Sequence, residues 1–388
     1  MISIMFHSVG LENHAWRSQY ISEPIEVMES KLKAIEEEGY EAIFMGEAHN
    51  LRNSKSDNFI HLNFDDGYLD NWVHLFPLLK KYSLKGTIFM TSDFIDKKAI
   101  VRTQHSIDSH YQLGASECCA GFLSFEEMRE MEKSGLIEIQ SHAKSHTWYF
   151  KGNKIIDFWR PGIATEVGGP VWMLWNKFPE EKQNYLTNAA DLETLIPYGT
   201  PIYEHGKSLE TYKFFPKDEE LKKKLIAKVL KKKNFFENIH WRIELEAIVA
   251  DFGEISGNIE TERDFEIRVR EELVTSKRIL EEGLKHTIDG ICWPGGGIDK
   301  KVVQIAEEVG YKYFTLPSKW KKAPDVLFSK MIPRIGPLAN VYFNGYVLGR
   351  PSKKDFKLYL RMHNGEVKAK LMFLIKRLIK YVQIKAFY

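Results

Sequence analysis

Short apolar runs alternate with stretches of helical periodicity in the first 147 residues and again after residue 263. The apolar runs are bounded by turn residues and predict buried strands. They lie at residues 1–6, 42–45, 59–62, 86–90, 136–140, 290–293 and 311–315. The segments between them predict helices, which cover residues 25–35, 72–82, 124–135, 264–282 and 299–308. This alternation predicts an α/β fold, either a barrel or a parallel sheet.

The composition is that of an ordinary soluble globular protein, with 44% hydrophobic and 28% charged residues in a chain of 388. A net charge of +2 gives no signature of nucleic-acid binding. Cys118 and Cys119 are adjacent and Cys292 lies far from them, so the cysteines form no disulfide framework and fit a reducing compartment. No signal peptide or transmembrane run is visible. These features predict a cytoplasmic protein, and no feature indicates the oligomeric state.

Two adjacent carboxylates, Asp65 and Asp66, follow the predicted strand at residues 59–62 and precede Gly67. Neighbouring buried carboxylates repel each other and are costly to desolvate. A divalent cation would relieve this repulsion by taking one of them as a ligand, and the other could then act as a general base on water. The alternative is a plain turn, since Asp-Gly is a common turn pair.

Two histidines four residues apart, His142 and His146, follow the predicted strand at residues 136–140. At this spacing both rings can lie on one side of a turn or loop, and neutral imidazole is a common metal ligand. Together with Asp66 they would give three protein ligands and one open position, which is typical of a catalytic zinc site. The alternative is a chance pair on the surface.

The combination of Phe64-Asp65-Asp66-Gly67 with His142-x-x-x-His146 resembles the polysaccharide deacetylases of the NodB-homology type, carbohydrate esterase family 4. The resemblance implies a distorted (β/α) barrel and removal of N-acetyl groups from a sugar. It also implies that Asp65 is the catalytic base and that Asp66, His142 and His146 hold a divalent metal. Zinc is the default ion for such a ligand set.

Three further segments match the pattern of this family. His7 follows the first strand and is a candidate pocket residue, with a structural role as the alternative. Trp293-Pro294-Gly295-Gly296 resembles the third motif, where glycine backbone N–H groups could approach a substrate oxyanion. Arg334 lies in a late strand segment and could pair with Asp65 and keep it ionised, although a surface ion pair is the alternative.

The chain departs from the family at two points. The usual arginine before the third-motif proline is replaced by Trp293. The late Leu-x-His motif that supplies the general acid is also missing, because His363 is the only histidine after His286. The candidates for the acid are His205 or His240, His7, or Asp65 acting in both steps.

The resemblance covers residues 1–147 and 264–345, which predicts a barrel interrupted by a large insertion at 148–263 near the active-site face. The insertion is rich in aromatic residues, glycine and proline and contains a lysine-rich helix at about 218–233. Its aromatic residues could stack on sugars or form a small core. The lysine run predicts a solvated helix face, with an anionic substrate or membrane surface as the alternative.

The C-terminal extension, residues 346–388, ends in a basic amphipathic helix. From residue 367 onward it contains no acidic residue. One helical face carries the apolar residues Leu371, Leu374, Ile375, Leu378, Ile379 and Val382, and the other carries Lys370, Lys376, Arg377 and Lys380. This pattern is typical of an interfacial membrane helix, and it predicts peripheral membrane contact through 367–388. A helix packed on the barrel is the alternative.

The function predicted from the sequence is a metal-dependent N-deacetylase acting on a polysaccharide, a glycolipid or a surface-glycan precursor. Two alternatives remain. One is a catalytically silent glycan-binding barrel, which the missing acid and arginine would favour. The other is a metal-dependent amidase or deformylase acting on a non-glycan amide.

Overall fold

A computed structural model describes residues 1–10, 21–53, 58–104, 121–166, 168–182, 192–317, 330–338, 341–343, 346–349 and 351–387. The strands of this part of the chain are, in order, β1 (Ile2–Phe6), β2 (Ser8–Val9), β3 (Ser22–Glu23), β4 (Glu41–Ala42), β5 (Phe59–Asp66), β6 (Gly86–Met90), β7 (Ile137–Ser141), β8 (Trp148–Phe158), β9 (Pro201–Lys207), β10 (Phe214–Pro216), β11 (Gly257–Ile259), β12 (Gly290–Ile291), β13 (Tyr313–Leu316), β14 (Ile332–Pro333), β15 (Val341–Phe343) and β16 (Tyr346–Gly349).

The α-helices of the same ranges are α1 (Ile25–Glu37), α2 (Met45–Leu51), α3 (Phe76–Tyr82), α4 (Phe125–Lys133), α5 (Trp172–Lys177), α6 (Glu219–Leu230), α7 (Trp241–Phe252), α8 (Glu262–Leu284), α9 (Lys300–Val309), α10 (Lys353–His363) and α11 (Val367–Phe387). A π-helical turn, Asn71–Leu75, leads into α3. The predicted helices are therefore present, with ends shifted by a few residues.

A single parallel sheet forms the centre of the molecule, with strand order β1-β5-β6-β7-β12-β13-β14 and with β4 paired to the start of β5. The two ends of this sheet meet. The Met5 N–H donates to the Ile335 carbonyl, and the Ile335 N–H donates to the Ser3 carbonyl, both over 2.9 Å. The sheet is a nearly closed barrel, which confirms the predicted fold class.

Helices cover the outside of the barrel because alternate residues of each strand point outward and are apolar. Ile4, Ile60, Ile88 and Ile139 are fully buried in this layer. Helix α9 illustrates how a covering helix is delimited. Its N-terminus is capped by the Asp299 side chain, which accepts a hydrogen bond from the Val302 N–H, and it ends where Gly310 adopts a φ of 98°.

The inside of the barrel is polar beneath the carboxyl end of β5. His61 and Asn63 share the inward face of β5 because side chains alternate along a strand. The Ser3 hydroxyl contacts the side chains of both, at 3.0 Å and 2.9 Å. Thr87 continues the chain of contacts from His61 to Glu138. These buried groups satisfy one another, as buried polar groups must.

The strand predicted at residues 42–45 is wrong in its second half. Strand β4 ends at Ala42, and helix α2 begins at Met45. The Glu47 side chain accepts a hydrogen bond from the Phe44 N–H over 3.1 Å, which starts the helix there. Helix α2 then packs Met45 and Ala48 against Phe89 and Ile332. An apolar run of four residues could not distinguish a strand from this short buried helix.

The segment predicted as an insertion contributes no described strand to the barrel sheet. Strands β8 and β9 pair with each other, as do β10 and β11, both antiparallel. Helices α6 and α7 pack on this unit around a separate small core. Its buried residues include Phe158, Tyr203, Leu221, Leu225 and Leu245. Several aromatic residues of the segment therefore form its own core.

Candidate metal centre and active site

The predicted site residues converge at the carboxyl ends of the barrel strands. His7 follows β1, Asp65 and Asp66 end β5, His142 follows β7, and Arg334 follows β14. Because parallel strands place their carboxyl ends at one face of a barrel, residues distant in sequence meet there. The candidate site therefore lies at the face of the barrel where the strands have their carboxyl ends.

Asp66, His142 and His146 form the centre of the site. The Oδ1 atom of Asp66 lies 3.2 Å from Nε2 of His142 and 3.2 Å from Nε2 of His146. The ligand atoms of the three residues all lie within 4.8 Å of one another. The structure thus brings together the three residues that were predicted as ligands.

The geometry of these three residues fits a tetrahedral metal ion. With metal–ligand bonds of about 2.0–2.1 Å, tetrahedral ligand atoms are roughly 3.3 Å apart, which matches the two contacts of Asp66. Asp66 Oδ1 is buried and has no hydrogen-bond partner. A buried oxygen without a donor is costly, and a bound cation would satisfy it.

The His142 ring is oriented for metal binding by its second nitrogen. Nδ1 of His142 lies 2.9 Å from the backbone carbonyl of Cys292. A carbonyl can only accept, so Nδ1 carries the proton and Nε2 keeps its lone pair toward Asp66. This contact is the arrangement that commonly fixes the tautomer of a metal-ligating histidine.

Residues in the left-handed backbone conformation position Asp66 and the histidine loop. Asp66 and Gly67 have φ values of 79° and 78°, and in the histidine loop Ala143 and His146 have φ values of 56° and 47°. Gly67 also needs to be glycine, since a Cβ there would lie 2.0 Å from the sulfur of Met90. Non-glycine residues with positive φ are strained and cluster at functional sites.

A clamp of buried polar groups holds the strained histidine loop. Glu272 of α8 accepts hydrogen bonds from the Ser145 N–H (3.1 Å) and the Ser145 hydroxyl (2.6 Å). The Lys182 ammonium, 3% exposed, donates to the Ser145 carbonyl over 2.9 Å and to Asp93 over 2.5 Å. The loop is therefore tied to a barrel helix and to the insertion. Sequence reasoning missed this clamp, because its members are far apart along the chain.

Asp65 points into the barrel and pairs with Arg334, as predicted. The Nη1 atom of Arg334 lies 2.7 Å and 2.9 Å from the two carboxylate oxygens, and 3.1 Å from the Asn63 side-chain oxygen. Burial alone would raise the pKa of Asp65, but Arg334, His142 and His7 outweigh it and lower the pKa below its ordinary value. Asp65 is therefore ionised at neutral pH.

Cys292 is a neighbour of Asp65 that the sequence interpretation did not assign. Its sulfur lies 3.6 Å from both oxygens of Asp65, and Asp65, His142 and Cys292 form a second possible metal-binding group. Burial raises the pKa of the Cys292 thiol well above its usual range, so it is protonated at neutral pH. Asp65 is already paired with Arg334. The group centred on Asp66 is the better metal site.

His7 faces the same site. Burial lowers the pKa of His7, while Asp65 and Asp66 raise it, and the net effect is a pKa below its ordinary value. The backbone around His7 is fixed by Asn71, whose side-chain amide donates to the His7 carbonyl over 3.0 Å. His7 is thus placed beside the carboxylates as a mainly neutral imidazole.

The glycine turn of residues 294–297 is shaped by the insertion. A Cβ on Gly295 would lie 2.8 Å from Cε of Lys207, and a Cβ on Gly297 would lie 2.6 Å from Cβ of Lys207. The Gly296 N–H donates to the Trp293 carbonyl over 2.8 Å. The glycines therefore make room for Lys207. The Gly296 N–H is thus already paired within the turn, and the predicted contact of a substrate oxyanion with a backbone N–H near Gly295 or Gly296 stays a prediction.

The Trp293 ring packs inside the molecule. It is 1% exposed and stacks on Phe314 with ring centres 5.8 Å apart. Pro294 is buried as well. In this conformation these side chains leave almost no surface for a sugar, so the predicted substrate contact has no support here.

His205 and His240 lie in the insertion. His205 contacts the Trp172 ring, with centres 5.0 Å apart, and its Nδ1 lies 3.1 Å from the Tyr203 carbonyl. His240 is exposed at the start of α7. Neither has a described contact with Asp65 or the metal-binding group. Their predicted role as the acid stays a prediction.

Residues 52–191 match the family model for polysaccharide deacetylases, and this stretch contains both the Asp65–Asp66 pair and the histidine loop. Over this stretch the chain is similar to the polysaccharide deacetylases. The matched stretch includes β5, β6 and β7 of the barrel and the three residues of the ligand group. The family resemblance predicted from two short motifs is confirmed.

Two curated proteins are similar to part of the chain. YxkH of Bacillus subtilis (strain 168), whose name assigns it to the polysaccharide deacetylases, is 30% identical over 146 residues, or 37% of this chain and 42% of that protein. The poly-β-1,6-N-acetyl-D-glucosamine N-deacetylase of Escherichia coli (strain K12) is 23% identical over 153 residues, or 38% of this chain and 20% of that protein. The matches span less than half of either relative.

Solved structures with similarity to the chain include a de-N-acetylase of Aggregatibacter actinomycetemcomitans. It has 15% identity and a TM-score of 0.49, with coverage of 86% of this chain and 93% of that one. IcaB of Ammonifex degensii has 14% identity and a TM-score of 0.43, with coverage of 86% and 90%.

Proposed function

We propose that this protein is a metal-dependent hydrolase that removes N-acetyl groups from a sugar in a polysaccharide, a glycolipid or a surface-glycan precursor. The observation that carries the proposal is the pairing of an ionised carboxylate with a ligand group. Asp65, held by Arg334, lies next to the convergent Asp66, His142 and His146. A module that only binds glycans would need no base beside a metal site.

Asp66, His142 and His146 would hold the ion, and we propose zinc. When bound there, the metal supplies Lewis acidity at the acetyl carbonyl and lowers the pKa of water. The orphaned oxygen of Asp66 and the fixed tautomer of His142 support this assignment. Three protein ligands would leave one coordination position for water or substrate if a metal is bound.

Asp65 performs the proton transfers in this proposal. Ionised by its contact with Arg334, it accepts a proton as water attacks the acetyl carbon and a C–O bond forms. The C–N bond then breaks, and the amine leaves with the proton that Asp65 accepted from water, returned either directly by Asp65 or through the neutral His7 imidazole as a relay. The products are acetate and a free amino sugar, so atoms and charge balance.

The name of one relative supports a proposal for the substrate class. The Escherichia coli relative is named for poly-β-1,6-N-acetyl-D-glucosamine, so we propose β-linked N-acetylglucosamine oligomers as the first substrates to test. We also propose a cytoplasmic location, which would suit a glycan precursor made at the inner face of the membrane.

The test combines metal analysis of the purified protein with acetate release from N-acetylated oligosaccharides. Bound metal together with acetate release supports the proposal. Metal without acetate release from any glycan, but with hydrolysis of a formyl or other simple amide, would replace it with an amidase. Absence of metal and of acetate release, with retained glycan binding, would replace it with a silent glycan-binding barrel.

A further inference from the structure

Helix α11 exposes the apolar face that the sequence pattern identified. Along this face and its margins, the apolar side chains are between 46% and 80% exposed. They are Val367, Leu371, Met372, Leu374, Ile375, Leu378, Ile379 and Val382. An exposed apolar stripe of this length on a soluble domain indicates a surface that binds a partner.

The face of α11 that packs on the protein is the opposite one. Ala369 and Phe373 are 1% and 7% exposed, and Phe373 lies against Tyr359 of α10 with ring centres 5.6 Å apart. At about 100° per residue, these two positions lie across the helix from Leu371 and Leu378. Helix α11 therefore packs on α10 through Ala369 and Phe373, and its apolar stripe is left exposed within the described residues.

Helix α10, on which α11 packs, is held to the barrel. Helix α10 is attached to α1 by ion pairs of Arg361 with Glu38 and of Lys353 with Glu37, at 2.6 Å and 2.7 Å. Lys376 of α11 in turn contacts Asp355 of α10 at 2.8 Å. The apolar stripe is thus presented outward from a helix pair fixed to the barrel.

The positive charge of α11 favours an anionic partner. From residue 367 to 388 the chain has five lysines and one arginine and no acidic residue. On the helix, Lys376 lies on one side of the apolar stripe, and Lys370 and Arg377 lie on the other. Basic residues flanking an apolar stripe are typical of helices that lie in the interface of an anionic bilayer.

We propose that the exposed face of α11 docks on an anionic lipid surface, with the helix parallel to the membrane and its apolar residues below the headgroups. A second copy of this chain is a poorer partner, since a symmetric contact would bring the flanking cations of the two helices together. Within the described residues, none of the helices is both long and apolar enough to cross a bilayer. This proposal does not depend on the reaction proposed above.

The test measures binding of the full chain to vesicles of phosphatidylcholine alone and of phosphatidylcholine mixed with phosphatidylglycerol. We expect binding to the anionic vesicles, weakened by salt, and at least a tenfold loss of affinity for the double variant Leu374→Gln/Leu378→Gln. The matched control is Ile239→Gln/Ile243→Gln. It removes two exposed isoleucines, 86% and 64% exposed, near the start of α7, and should bind like the unmodified protein.

A second variant, Lys370→Gln/Arg377→Gln, should lose the preference for anionic over neutral vesicles while keeping its fold. All substituted side chains on α11 face solvent or flank the stripe, and circular dichroism of each variant would verify that the helix is intact. The proposal is overturned if the protein binds neither vesicle, or if the α7 control loses as much affinity as the α11 variant. A dimer that Leu374→Gln/Leu378→Gln dissociates, without vesicle binding, would assign the stripe to a second copy instead.

Discussion

Two adjacent carboxylates of one strand end have different partners, and this difference defines the site. Asp65 continues the inward face of β5 and contacts Arg334, whereas Asp66 turns at a φ of 79° toward the histidine loop. Side-chain alternation along a strand explains why neighbours point apart. One carboxylate is thereby available as a base, and the other as a ligand.

Loss of the proposed base and loss of a proposed metal ligand should have separable effects. Asp65→Asn keeps the shape of the side chain and removes the base, so we expect retained metal and a loss of activity of about 10²–10⁴-fold. His142→Ala removes a ligand, so metal and activity should both be lost. Metal content and acetate release measure these outcomes. Equal metal loss in the two variants would show that the roles of Asp65 and Asp66 are exchanged.

Arg334 should set the pH range of the proposed reaction. Its cation lowers the pKa of Asp65, so Arg334→Gln lets the effect of burial dominate and raises that pKa. Since the base must be ionised, the acidic limb of kcat/KM should move to higher pH. The buried carboxylate left without its partner should also cost about 3–5 kcal/mol of folding stability.

Arg334→Lys is the matched control, because it keeps the positive charge while losing the guanidinium geometry. We expect a smaller shift of the acidic limb for this variant. An unchanged limb in Arg334→Gln would mean that Arg334 does not control the ionisation of the base.

At the scale of elements, the histidine loop depends on α8 and on the insertion. Two of its residues, Ala143 and His146, adopt the left-handed conformation and would relax without outside contacts. Glu272 and Lys182 supply those contacts through Ser145. The ligand geometry is therefore a property of three elements and not of the loop alone.

Loss of this clamp should weaken metal binding more than folding. Glu272→Gln weakens the charge-assisted hydrogen bonds to Ser145, and we expect a loss in metal affinity of about 10–100-fold, as for other outer-shell partners. Titration calorimetry with zinc measures this change. The control is Glu271→Gln, the exposed neighbour on the same helix, which should bind metal like the unmodified protein. Equal affinities in both variants would contradict a positioning role for Glu272.

At the scale of the whole molecule, Asp70 ties the chain after β1 to the turn after β5. It accepts hydrogen bonds from the Ser8 hydroxyl (2.5 Å) and the Val9 N–H (3.0 Å). Burial raises the pKa of Asp70 from 3.8 to about 7, against the opposing effect of its hydrogen bonds. The folded state therefore favours the protonated acid, and stability is lost as pH rises from about 4 to about 7.

Asp70→Asn should remove this loss, because the amide is neutral at every pH and can donate to Ser8. The free energy of unfolding of the variant relative to the unmodified protein should increase between pH 4 and 7, by roughly 4 kcal/mol in total. Urea denaturation at a series of pH values measures the difference. A difference that stays constant across this range would show that Asp70 does not titrate there.

Much of the fold and of the site followed from local pattern. The apolar runs predicted the barrel strands, and helical periodicity with its caps predicted α1, α4, α8 and α9. Asp65, Asp66, His142 and His146 could be named because their motifs occupy a few consecutive residues at strand ends. The strand predicted at residues 42–45 was wrong in its second half, because so short an apolar run fits both a strand and a short buried helix.

The sequence by itself determined most element types, the alternation of strands and helices and the residues able to bind metal, since each depends on the chemistry of near neighbours in the chain. The local pattern left a barrel and a parallel sheet open, and the family resemblance implied the barrel. Only the tertiary structure decided which distant groups complete the site. Arg334 meets Asp65 across 269 residues, Cys292 fixes the tautomer of His142, and Lys207 fills the space above the glycine turn. These contacts arise when the barrel closes and the insertion packs on it, and no local pattern encodes that geometry.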